Sequence, residues 1–180
     1  MTTPLSQFST LTRTSLNALV TLGSVVICAM LMLVRLPYWQ FFSPDWLLIW
    51  VVVWSVKRSP WQGFVAGVCL GWIQDGLSTH YPSHALSLAI VGGLTGLMQK
   101  QRFISEDFIS IALIAFAMAM ISETINAAQI SLLTDISLPE IWQHHRQIAL
   151  SSAILSSLWA PLIYAPLNLW WSWVQESDLD

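Results

Sequence analysis

Six apolar stretches recur along the chain, each closed by a short polar or proline-bearing turn. Residues 15–36 are long enough for one bilayer crossing, with Arg35 placed to snorkel at the end and Pro37 to stop the helix. The tail before it, residues 1–14, is polar, and the absence of a small-residue cleavage pattern reads as a retained first span. Tyr38–Phe42 is aromatic and fits an interface belt. Ser43, Pro44 and Asp45 have the form of a helix start: a cap, a proline at the first position, and an acid at the positive end of the dipole. The run that follows is short, and residues 44–58 make a marginal crossing, with a re-entrant helix as the alternative. Ser59 and Pro60 repeat that start for residues 60–77. Further helices are expected over 84–99, over 106–133 behind the acidic start Ser105–Glu106–Asp107, and over 147–174. The last follows a polar, interfacial lead-in that begins near Pro139. Pro161 and Pro166 lie inside it, and Pro166 is expected to bend or unwind it. Residues 176–180 form an acidic tail.

Segment three carries the sharpest pattern. Gly63, Gly67 and Gly71 recur every four residues, and Asp75 takes the next place in the row. Positions four apart share a helix face, so the segment presents a bare face ending in a carboxylate. Gly92 and Gly96 give segment four a matching small-x-x-x-small pattern. In membranes such rows let two backbones approach closely. They read as a packing seam, with Gln74, Asp75 and Gly76 at its outer end, where Asp75 either holds a turn or meets a ligand.

Composition fixes the compartment. Of 180 residues, 55% are hydrophobic and 9% charged, with eleven tryptophans, against about 25% charged in soluble domains. The expected architecture is an all-α, polytopic membrane protein, one six-helix domain over residues 15–175 with no soluble domain; the longest loop is expected over 134–146. A net charge of −3 gives no reason to expect nucleic-acid binding. Cys28 and Cys69 lie in apolar runs and read as small buried hydrophobes. Lys and Arg placement orients the chain: Arg13, Lys57, Arg58, Lys100 and Arg102 fall on one side, Arg35 and Arg146 on the other, which puts both termini in the cytoplasm.

Glu123 is the candidate for buried chemistry. It lies within segment five, with Asn126 three residues on along the same face. An acid at membrane depth costs about 2.5–3.5 kcal/mol or more unless paired or protonated. It is expected to face the bundle interior, either as a pocket group or as a protonated hydrogen-bonding group, with Gln74–Asp75 or the serines at 151–152 and 156–157 as partners. His80 and His84 are four apart, but Tyr81–Pro82 breaks any helix between them and nothing completes a metal set, so no metal or other cofactor is expected.

Taken together, the Ser43–Trp46 helix start, the basic turn Lys57–Arg58, the glycine row ending Gln74–Asp75–Gly76, and the His84–Leu86 helix start resemble the MreD family of rod shape-determining membrane proteins. Pro44, Asp45, Asp75 and Gly76 match its pattern. The resemblance implies a non-enzymatic component of the bacterial cell-elongation machinery. Such a component sits in the plasma membrane among its lipids and is associated with single-span MreC. Through MreC it would couple MreB filaments to the RodA polymerase and a transpeptidase for peptidoglycan synthesis. It further implies a fold similar to the substrate-binding subunits of energy-coupling-factor transporters. That likeness supports the alternative function: binding of a small molecule or lipid in a central pocket near Glu123.

Overall fold

The computed structural model describes residues 10–33, 44–78, 83–100, 107–134 and 138–176. Pro37, the Tyr38–Phe42 belt, the Ser43 cap, His80, the Tyr81–Pro82 break and Arg102 lie outside them, as do residues 177–180 of the tail. Six helices follow one another: α1 Thr10–Leu33, α2 Trp46–Ser55, α3 Pro60–Leu77, α4 His84–Lys100, α5 Phe108–Leu133 and α6 Leu138–Glu176. The described residues contain no strand. Three helices contain windows long and apolar enough to cross a bilayer, at Ser15–Leu33, Phe108–Leu133 and Arg146–Val174. The exterior is apolar: Leu19, Leu22 and Ile27 of α1, Trp61 and Trp72 of α3, Ile109 and Leu113 of α5, and Leu158 and Leu162 of α6 all lie exposed. Water would not tolerate a continuous surface of this kind, whereas lipid does.

The core is the shortest helix. Every residue of α2 from Leu47 to Val53 is buried, on all sides of the helix. A helix apolar all round belongs in the middle of a bundle. α2 touches each of the other five helices. At ten residues it is about 15 Å long. It runs antiparallel to α3, with Asp45 near Gln74 and Ser55 against Gly63. Its register against α6 is fixed twice: the Asp45 backbone N–H donates to Ser156 Oγ (3.2 Å), and Lys57 Nζ donates to Asn168 Oδ1 (2.5 Å). Asp45 caps α2, Lys57 lies just past its end, and their partners follow in the same order on α6, so the two helices run parallel along α2. Trp46 meets Trp159 edge-on at one end of this stretch. At the other, Trp54 stacks on Trp50 and carries the Arg58 guanidinium over its ring. α1 leans on this pair through Trp50 Nε1 donating to Ser24 Oγ (2.8 Å) and Trp170 Nε1 donating to Asn17 Oδ1 (3.4 Å).

Helix starts follow side-chain reach. The N-cap of α2 is Asp45, whose Oδ1 accepts from Leu48 N at 3.0 Å, so Pro44 precedes the helix instead of opening it. α3 begins as the sequence suggests, with Pro60 first and Ser59 capping, and Gln62 completes a capping box by accepting from Ser59 N. α5 begins one residue later than an acidic first turn would need: Asp107 is its N-cap, makes no side-chain capping bond, and leaves no acid in the first turn. The stretch 134–146, read as the longest loop, is mostly helix, because α6 starts at Leu138 with Pro139 in its first turn. α6 stays helical through Pro161 and Pro166, so of the bend or unwinding expected at Pro166 the unwinding does not occur. Cys28 is buried, but Cys69 is exposed on α3, so the buried reading does not hold for it.

Candidate functional site

Two features meet at one end of the bundle: the seam between α3 and α4, and a polar floor beneath it. α3 and α4 make the most extensive helix contact in the molecule. At Gly63 an added Cβ would overlap the carbonyl oxygen of Gly92, and at Gly92 it would overlap that of Gly63. At Gly67 it would strike the Leu88 carbonyl, and at Gly71 the Ala85 Cα. At Gly96 it would lie 2.7 Å from Pro60 Cα. Partner numbers fall along α4 as they rise along α3, so the pair is antiparallel and in backbone contact over its whole length. Gly76 differs, since a Cβ there meets nothing within 4 Å. No steric demand explains glycine at that position.

Asp75 closes the seam. Its Oδ1 accepts from the His84 backbone N–H (2.7 Å) and lies 2.9 Å from His84 Nδ1, while Oδ2 accepts from Ser83 Oγ (2.7 Å). The last turn of α3 thus caps the first turn of α4, an orphan donor satisfied by a charged acceptor. α5 joins the same turn through Gln129 Nε2, which donates to the Ser83 carbonyl (3.2 Å). Asp75→Ala is therefore expected to destabilise the purified protein by about 1–2 kcal/mol, and Asp75→Asn by less. Thermal unfolding of the two variants in detergent checks this ordering.

Beneath that turn lies the polar floor. Asp45, at the start of α2, is held by Leu48 N and lies within hydrogen-bonding reach of the Gln74 amide from α3. The His84 ring is close enough to interact electrostatically with Asp45 and with Glu123, and the two carboxylates feel one another. Gln74 and Asn126 are 5% and 8% exposed, and the carbonyl oxygen of each side chain has no hydrogen-bond partner. Gln129 binds the Ser83 carbonyl six residues after Glu123, which places Glu123 about 9 Å deeper along α5.

The structure therefore gathers Asp45, Gln74, Asp75 and His84 at one end of the bundle, with Glu123 deeper on α5 and within electrostatic range of Asp45 and His84. Asn126 lies one turn along α5 from Glu123. Of the serines weighed as partners for Glu123, Ser156 instead accepts from the Asp45 backbone. Two participants stand apart from the residues read as buried polar candidates. In the sequence Asp45 reads as a helix start and motif position, and His84 as a helix start and as half of a metal pair that nothing completes. A signal for both was present: helices alternating in direction put the start of α2, the end of α3 and the start of α4 at one end of the bundle.

Comparison with known proteins bears on what this arrangement is for. The family model described as rod shape-determining protein MreD matches residues 11–168. The chain belongs to the MreD family. The match takes in α2 to α5, most of α1 and much of α6, and so the whole seam and the whole polar floor. No curated protein and no solved structure matches the chain. Membership in MreD makes this a rod shape-determining membrane protein, and the six-helix apolar-surfaced bundle is consistent with that.

Proposed function

We propose that this MreD-family chain is a non-enzymatic scaffold of the cell-elongation complex in the bacterial plasma membrane. In this reading all six helices lie within the bilayer and both termini are cytoplasmic. The bundle docks an MreC-like single-span protein and, through it, couples MreB filaments to a RodA polymerase and a transpeptidase. The family match over residues 11–168 carries the proposal. The structure supplies a physical basis for it. A scaffold must hold its surface fixed, and the α3–α4 seam, with backbones in contact at Gly63, Gly67, Gly71 and Gly92, leaves little room for relative motion. On α3, Trp61, Phe64 and Trp72 stay exposed while the seam glycines are buried, an apolar lipid-depth face on which a partner helix can pack. The orientation rests on Lys57 and Arg58 at the end of α2 remote from Asp75 and His84.

The test replaces the cell's own copy with a tagged copy of this chain. Rod growth and recovery of an MreC-like single-span protein with the tag are the expected results. Rounded cells, or a tag that brings down no such protein after mild solubilisation, would remove the scaffold reading.

A further inference from the structure

The end of the bundle remote from Asp75 and His84 carries two adjacent cations, Lys57 and Arg58, on the turn from α2 to α3. Three contacts fix that turn. Arg58 N donates to the Ser55 carbonyl (3.0 Å), Lys57 Nζ donates to Asn168 of α6, and the Arg58 guanidinium lies 5.2 Å from the centre of the Trp54 ring. Trp54 is itself stacked on Trp50. A cation after the last turn of a helix commonly serves that helix's own carbonyls. Arg58 does not: among the described residues, no carboxylate or carbonyl takes its guanidinium N–H groups. An aromatic ring attracts the charge and leaves the five donors unspent. Acceptors are scarce around it as well. α3 opens at the same level with no acid in its first turn, and the Trp54 and Trp171 indole nitrogens are buried without an acceptor. Trp171 is 7% exposed and lies one turn past Asn168 on α6.

We propose that the α2–α3 turn binds the phosphodiester of an anionic phospholipid, with Arg58 gripping two of its oxygens and Lys57 beside it as a second fixed charge. A guanidinium presents paired N–H donors at the spacing of two phosphate oxygens, which an ammonium does not. The Trp54 ring holds that fork in place before the ligand arrives, so little side-chain freedom is lost on binding. The site is an open surface and needs no cavity: Lys57 and Arg58 are half-buried, and Ser59, Trp61 and Gln62 are exposed. What adjoins the turn favours a lipid over a soluble anion. Trp61, the second residue of α3, is 72% exposed and stacks on Phe64, placing an indole where headgroups meet acyl chains. Val65 continues the exposed apolar surface along the helix. The site lies on the turn and requires no partner protein, so it stands or falls apart from the scaffold reading.

The experiment uses the full chain in detergent. Phosphatidylglycerol and phosphatidylcholine with the same acyl chains are titrated, and bound lipid is counted by native mass spectrometry. The wild type is expected to retain phosphatidylglycerol about tenfold better, because the choline lipid brings its own cation beside the phosphate. Arg58→Gln is expected to cut phosphatidylglycerol binding about fivefold. Arg58→Lys keeps the charge and loses the fork, and is expected to fall between the two. Arg146→Gln removes the same charge from an exposed position on α6, about 33 Å from Asn168 along the helix, and is expected to match the wild type. That comparison separates a built contact from net charge, and unchanged helicity checks each fold. Equal losses in Arg58→Gln and Arg146→Gln overturn the proposal, as does full binding in a folded Arg58→Gln. Glycerophosphoglycerol, the headgroup without chains, tests the source. Failure to displace the lipid at equal concentration supports a lipid site, and displacement assigns the turn to a soluble phosphodiester and overturns the lipid assignment. Should Arg58→Gln not fold, Arg58→Lys decides: binding equal to the wild type overturns the bidentate contact, and a loss that Arg146→Gln does not share supports it.

Discussion

Gly63→Ala and Gly92→Ala are each expected to lower the unfolding temperature of the purified bundle by several degrees, and Gly76→Ala is not. All three lie in helices, where alanine is intrinsically favoured over glycine by about 0.5–1 kcal/mol. Propensity alone would therefore raise stability at every one. Contact decides the sign. At Gly63 and Gly92 the new methyl would occupy the place of a facing backbone carbonyl oxygen. A carbonyl cannot rotate aside as a side chain can, so the two helices must separate. Overpacking of this kind costs about 1–3 kcal/mol, and more where backbone has to move. At Gly76 nothing lies within 4 Å and the propensity gain survives. The pair should also be non-additive. Once one methyl has pushed α3 from α4, the second meets an interface already open, and the double variant should cost less than the two singles together. Thermal unfolding of the four variants and the wild type in one detergent reads all of this. Equal shifts at Gly63 and Gly76 would show that the seam is not in backbone contact.

Leu47→Ala and Leu48→Ala are expected to destabilise the protein by about 2–5 kcal/mol each, although adjacent residues on a helix point in different directions. Leu47 and Leu48 are both fully buried, as are Val51, Val52 and Val53 after them. An alanine scan along α2 should thus show losses at every position, without the 3.6-residue rhythm of a helix that has a lipid side. The same scan along α1 should show that rhythm. Leu19, Leu22 and Ile27 are exposed there, whereas Cys28 is buried. A lipid-facing position in α2, revealed by a neutral alanine, would contradict its central placement.

Much of this molecule was legible from its residues, and the limits have physical causes. Helix number follows from composition and turns, because in a membrane the backbone must satisfy itself within each segment. The antiparallel fit of Gly63 to Gly92 and Gly67 to Leu88 is harder to read, since the four-residue spacing names a face but not what lies against it. The centrality of α2 was obscured by its length. Ten residues look deficient for a crossing, and only the surrounding helices show that a helix buried from Leu47 to Val53 can be short. The sequence places two helix starts two residues early, at Pro44 and at residue 106, because several residues in a row can precede a helix and only geometry selects the one that caps it. The polar floor was half visible. Glu123 stood out because an acid in an apolar run is costly. Asp45 and His84 looked like ordinary helix-terminal residues until the fold put them within electrostatic range of it.

The claim that a locked α3–α4 seam is what this chain contributes to cell shape is tested most directly at Gly67, where any side chain meets the Leu88 backbone. Cells would carry Gly67→Ala, Gly67→Val or Gly67→Leu in place of the wild type at matched membrane levels. Rod width and recovery of the MreC-like partner would then be measured on the same cultures. Both are expected to fail together and in order of side-chain volume, with the leucine variant giving rounded cells and no recovered partner. Normal rods and full recovery with Gly67→Leu would contradict it.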